Sequence, residues 1–246
     1  MSARSAVLAV ILLAVGGCAK PAVETRVLVF AATSLTASFE RLAQDFERSH
    51  PGTKLELHFA GSPQLGAQLR NGAEADVFAS ADLANMQQVV DGKQTASAPS
   101  TFAHNRMAIV VGKGNPKRIG ALADLARNVR VLLCGPVVPA GHYARQALAK
   151  AGVAVASLSD EPNVGAVVTK VKLGEVDAGI VYVTDAAVAA ADVDSVAIPA
   201  EHNVVAAYPI AVLSVGRNQG TGAAFVAHVL SAEGQRVLRS FGFQAP

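Results

Sequence analysis

At 246 residues, 51% of them apolar and 16% charged, the chain has the make-up of a folded protein with a substantial core, which excludes a disordered one. The formal net charge is only +2, from 21 basic and 19 acidic side chains, and tryptophan is absent. With no basic cluster and few aromatic rings, neither a phosphate-binding stripe nor a stacking platform can be built, which argues against a nucleic-acid partner.

The chain opens with "MSARSAVLAVILLAVGGC": Arg4, an apolar run over residues 6–15, small Gly16 and Gly17, then Cys18. A run of this length falls short of the roughly 20 residues that a membrane-spanning helix needs and reads as a secretion signal over residues 1–17. The ending Val15-Gly16-Gly17-Cys18 resembles a bacterial lipobox, so Cys18 is expected to become an acylated N-terminus with residues 18–25 as a tether. The only other cysteine, Cys134 in "VRVLLCG", is then expected to be a buried core thiol without a disulfide partner.

Beyond the tether, short apolar strands alternate with amphipathic helices. "VLVFAA" leads into a helix with Leu35, Phe39, Leu42, Ala43 and Phe46 on one face, and "LELHFAG" leads into a helix predicted to begin at Pro63. "DVFAS", "MAIVVG", "VRVLLCG", "AGIVYV" and "YPIAVLS" are further strands, most of them apolar throughout, as strands covered on both faces are. The alternation predicts an α/β fold with mainly parallel sheets.

The strand-to-helix junctions share a chemistry. In "FAATSLTASF" Ser34 is predicted to cap the first long helix, and in "FAGSPQLGAQL" Ser62 is predicted to cap with Pro63 at the first helical position. "VPAGHYARQAL" opens a third helix through Ala140 and Gly141, small enough for an anion to reach the backbone N–H groups. In "EPNVGAVVTKV" Asn163 can cap and Val164 offers a free N–H. Open α/β sheets bind ligands where the carboxyl ends of their parallel strands converge, and these four junctions could converge there.

Other reactive residues read as structural. His50, His58, His104, His142, His202 and His228 lack metal-ligand spacing. Asp82 is predicted to cap a helix and Asp76 to end a loop, neither with an evident partner. No serine lies in a G-x-S-x-G elbow.

From Arg26 to the C-terminus the chain resembles the extracytoplasmic solute receptors of bacterial molybdate ABC importers. The resemblance is carried by "VFAATSLT", "FAGSPQLGAQL", "GAEADVFASAD", "VPAGHYARQAL", "GEVDAGIVYVTDA", "YPIAVL" and the terminal "RSFGF", in matching order and spacing. It implies a two-lobed periplasmic-binding fold of type II, with a mainly parallel sheet in each lobe and two hinge crossings near residues 102–105 and 207–209. Residues 26–104 and 209–246 would form one lobe and 105–208 the other. The resemblance further implies that Ser34 and Ser62 donate from the first lobe, Ala140 and Val164 donate backbone N–H groups from the second, and Tyr182 donates its phenolic O–H. Two departures touch this set: Pro63 stands where the family often has a small polar residue, and the connection from Ala140 to Val164 is slightly shortened.

The implied ligand is molybdate or tungstate, with molybdenum entering only as the oxyanion. No cofactor and no catalysis are expected, the partners are a membrane permease and the membrane itself through Cys18, and the chain is expected to be a monomer. Full dianions need donors only, whereas phosphate near neutral pH keeps a proton and benefits from an acceptor that this set lacks. The alternatives are a receptor for sulfate, a smaller tetrahedral dianion; one for iron(III), which would draw on Tyr143, Tyr182 and Tyr208; and an exported hydrolase, for which no activated nucleophile or metal cluster is evident.

Overall fold

The computed structural model describes residues 24–246, so the secretion signal and Cys18 lie outside the described residues. In chain order the strands are β1 (Thr25–Ala32), β2 (Thr53–Ala60), β3 (Val77–Ala79), β4 (Ser100–Gly112), β5 (Val131–Cys134), β6 (Asp160–Glu161), β7 (Ala178–Tyr182), β8 (Val193–Ala197) and β9 (Val205–Val212). The helices are α1 (Thr36–Ser49), α2 (Ser62–Arg70), α3 (Leu83–Asp91), α4 (Pro139–Lys150), α5 (Val164–Lys172), α6 (Val183–Val188), α7 (Gln219–Leu230) and α8 (Ala232–Ser240). Among the described residues no helix is long and apolar enough to cross a membrane.

The predicted apolar face of α1 is buried throughout, and Phe39 and Phe46 both meet Phe225 of α7 edge-on, which clamps the first and seventh helices together. Strands β3, β5 and β7 are buried at every position, as their unbroken apolar runs require. The short β6 and β8 were not legible in the sequence, because β6 is two acidic residues and β8, Val-Asp-Ser-Val-Ala, has no apolar run and fully buries only Val193.

The strand order is β2-β1-β3-β9-β4-β7-β5-β6, with β8 paired to β4. The pairs β1–β2, β1–β3, β5–β6 and β5–β7 are parallel, and every antiparallel pairing involves β4 or β9. β4 changes partners along its length: residues 100–106 pair with β9, while residues 107–112 pair with β7 on one side and β8 on the other. β4 and β9 thus join one set of strands, β1 to β3, to another, β5 to β8.

Two predicted caps are replaced. Ser34 lies inside a single 3-10 turn, Thr33–Leu35, and α1 starts after Leu35 without a side-chain cap. At α2 the cap is Gly61, so Ser62 is the first helical residue and Pro63 the second. Both serine hydroxyls are engaged by distant partners, Tyr208 and the Ala81 amide, which removes them from local capping. Asn163 and Asp82 do cap, accepting from the amides of Ala166 and Asn85 at 3.0 Å each. Asp76, expected to lack a partner, is buried and accepts from the amides of Leu28 and Asn218, tying β1 to the start of α7.

Candidate functional site

The carboxyl ends of β1, β2, β5 and β7, together with the turn after β6, deliver their following residues to one narrow cleft of about 20 Å³. Ser34, Ser62, Ala140, Val164 and Tyr182 all line it, with Thr33, Gly61 and Asn163 among their neighbours. Sites for drug-sized organic ligands run to about 300–1,000 Å³, so this space selects a small ion over a sugar or peptide. No lining residue is charged.

Each group offers a donor. The Ser62 oxygen accepts from the Ala81 amide at 3.1 Å, which leaves its own hydrogen for another acceptor. Ala140 and Val164 lie in the first turns of α4 and α5, where backbone N–H groups have no intrahelical acceptor, and the positive ends of both helix dipoles face the cleft. The Tyr182 hydroxyl and the Thr33 Oγ1 are buried without a hydrogen-bond partner. Two orphaned hydroxyls in one cleft are unusual, since buried polar groups are nearly always paired, and an oxyanion would satisfy both.

Burial raises the Tyr182 phenol well above its ordinary range, so it stays protonated and can donate. Burial also pushes Asp185 up to about 7, against the pull of the Tyr182 amide that donates to it, which lessens the negative charge below the cleft at neutral pH. Of the three tyrosines only Tyr182 lines the cleft. Non-adjacent in sequence, Tyr182 and Tyr208 lie 5.6 Å apart, ring to ring, but neither Tyr208 nor Tyr143 lines the cleft, so no set of phenolate ligands for iron is gathered there. Cys134 is buried and its thiol is pushed far up by desolvation, so it is no nucleophile. Among the described residues no group of three or more His, Cys, Asp and Glu is placed to hold a metal ion.

The small residues at the mouth of α4 have different reasons. Ala140 lines the cleft, but Gly141 does not: a Cβ there would lie 2.1 Å from the Gly135 carbonyl oxygen and 2.2 Å from that of Cys134. Gly141 is small so that α4 can sit on the end of β5, a packing demand and not the access for an anion that the sequence suggested. The sequence reading also missed Thr33, whose only signal was a second hydroxyl beside Ser34. It missed the partnership of Ser34 with Tyr208, for which a separation of 174 residues leaves no local sign.

A larger hollow of about 500 Å³ lies at the amino end of β1, but Glu24, Glu56, Glu74 and Asp76 line it beside Arg26 and Arg217, a poor setting for a dianion.

The sequence model of the bacterial extracellular solute-binding proteins matches residues 27–244. The molybdate-binding protein of Mycobacterium bovis is 42% identical over 221 residues, covering 89% of this chain and 85% of that one. Among solved structures, the periplasmic molybdate-binding protein of Azotobacter vinelandii superposes with a TM-score of 0.79 at 19% identity, over 89% of this chain and 99% of that one. The sulfate-binding protein of Mycobacterium tuberculosis gives 0.81 at 18% identity, over 90% and 87%. The two structural likenesses establish the periplasmic-binding-protein fold, and the matches along the sequence establish the family: this chain belongs to the bacterial extracellular solute-binding proteins.

Proposed function

We propose that the chain is the extracytoplasmic receptor that captures molybdate, and tungstate with it, for an ABC importer. The observation that carries this reading is a cleft too small for organic solutes and lined by neutral groups, beside 42% identity to a molybdate-binding protein. A dianion whose oxygens all accept is matched by hydroxyls and helix-terminal amides. Neutral dipoles replace its hydration shell without the desolvation penalty of a buried charge pair. In this reading Ser34, Ser62, Ala140, Val164 and Tyr182 hold the oxyanion, and Thr33 supplies a sixth donor. The receptor binds and hands over its ligand; it is not an enzyme and needs no cofactor.

The two strand sets would act as lobes, residues 26–104 with 209–246 and residues 105–208, closing over the ion about the paired segments of β4 and β9. The family is extracytoplasmic, and the lipobox-like ending at Cys18 supports an acyl anchor that holds the monomer near its permease.

A thermal-unfolding series on the chain from residue 19 with molybdate, tungstate, sulfate, phosphate and iron(III) tests this. A ligand at 1,000 times its Kd stabilises by about 4 kcal/mol, which raises the midpoint of a chain of this size by roughly 8–16 °C. The expected result is a shift with molybdate and tungstate alone. A larger shift with sulfate would favour the second reading that the sulfate-binding likeness raises, and one with iron(III) would dismiss the oxyanion reading. Ser34→Ala should weaken molybdate binding by about 1.5–3 kcal/mol, as loss of a hydrogen bond to a charged group does, with titration calorimetry as the check. Unchanged affinity would remove Ser34 from the site.

A further inference from the structure

The hydroxyl of Ser34 can act on an anion only if its hydrogen points into the cleft, and a serine hydroxyl rotates freely unless something fixes it. A chain of buried side chains supplies that constraint. Asn105 on β4 is 1% exposed, and its Oδ1 accepts from the backbone amide of Arg106 at 2.9 Å. Because a backbone N–H can only donate, this contact fixes which way the Asn105 amide faces. Its Nδ2 is then turned inward, where it donates to Thr184 Oγ1 at 2.9 Å and, over a longer 3.5 Å, to the Tyr208 hydroxyl oxygen.

Tyr208 is fully buried on β9, with Phe102, Tyr182 and Phe243 packed edge-on about its ring. Its hydroxyl lies 3.1 Å from Ser34 Oγ. With its oxygen facing the Asn105 donor, Tyr208 has its own hydrogen free to give to Ser34, and burial keeps the phenol protonated throughout the neutral range. In that arrangement Ser34 Oγ accepts from within the protein, and its hydrogen is left for the cleft.

We infer that Tyr208, oriented by Asn105, is a positioning and specificity-determining residue: it donates to the Ser34 oxygen from inside the protein and so turns the Ser34 hydrogen toward the bound oxyanion. This rests on the receptor reading above and adds to it a reason for rejecting protonated oxyanions. Hydrogen phosphate carries a donor of its own and would need an acceptor in the cleft, and a Ser34 oxygen already engaged by Tyr208, with its hydrogen aimed at the ligand, is poorly placed to be one.

The test is binding of molybdate and of inorganic phosphate by titration calorimetry to the unchanged chain, Tyr208→Phe, Ser34→Ala and the double variant, with Asn105→Ala as a second way to cut the chain while keeping the Tyr208 ring. Tyr208→Phe preserves the packed ring, and its unliganded melting midpoint reports whether it folds. The expected result is a loss of roughly three- to tenfold in molybdate affinity, the worth of one neutral hydrogen bond, and a narrower preference over phosphate. Asn105→Ala should shift both quantities in the same direction. In the Ser34→Ala background Tyr208→Phe should add less than about twofold, because the group it orients is gone. An equal additional loss in that background, or an unchanged preference over phosphate in Tyr208→Phe, would overturn the assignment while leaving the receptor reading intact. No molybdate binding by the unchanged chain would overturn both.

Discussion

Gly61→Ala is expected to weaken molybdate binding by about a hundredfold while lowering the unliganded melting midpoint by only a few degrees. The backbone at Gly61, φ −63° and ψ 140°, is open to alanine, so the substitution meets no local strain. Losing glycine as the α2 cap should cost about 1 kcal/mol, or roughly 2–4 °C for a chain of this length. The larger effect lies across the cleft, where a Cβ on Gly61 would stand 2.5 Å from the carbonyl oxygen of Pro162, two residues before Val164. Relieving that contact requires α2 and the start of α5 to separate by roughly an ångström, and a hydrogen bond stretched to about 3.6 Å is no longer one. With bonds to a charged group worth about 1.5–3 kcal/mol each, loss of the Val164 donor and slackening of its neighbours gives about 3 kcal/mol, or two decades in affinity. Calorimetry should show the loss, and small-angle scattering should show that the compaction produced by molybdate in the unchanged chain is missing. An alanine variant that binds as tightly as the unchanged chain would mean that the two strand sets need not approach this closely around the ion.

Gly141→Ala should act on the other quantity, stability. The clash is with two backbone carbonyls, of Cys134 and Gly135, and not with a side chain that could swing aside. Overpacking typically costs 1–3 kcal/mol, and with α4 seated on the end of β5 the upper end of that range applies. A loss of about 3 kcal/mol lowers the midpoint by roughly 6–12 °C. Denaturant unfolding of the unliganded variant is the check, and stability equal to that of the unchanged chain would return Gly141 to the role the sequence suggested, that of clearing a path for the ligand.

The contrast between these two glycines marks how far local reading reaches. Both stand at the start of a helix after a strand, and nothing in "FAGSPQ" or "VPAGHY" distinguishes a glycine that faces across the cleft from one that faces its own strand. The same holds for the capping serines: in sequence Ser34 and Ser62 are competent caps, and in the fold their oxygens are taken by Tyr208 and by the Ala81 amide. Asn163 and Asp82 cap as predicted, their side chains accepting from the third residue of the helix that each one opens.

What the sequence determined by itself was the alternation of strands and helices, the apolar face of α1, and the junctions at which hydroxyls and unpaired helix amides would be found. These are set by side-chain period and by the backbone donors that every helix start leaves free, and both are local properties. That the junctions share one site was implied by the family resemblance; only the tertiary structure decided that the site is a cleft of about 20 Å³, that Thr33 belongs to it, and that Tyr208 reaches Ser34 across 174 residues. It also decided which glycine guards the approach of α5 and which one seats α4. Strand order and crossing fix those distances, and they depend on contacts between segments far apart in the chain, which no local pattern of residue types encodes.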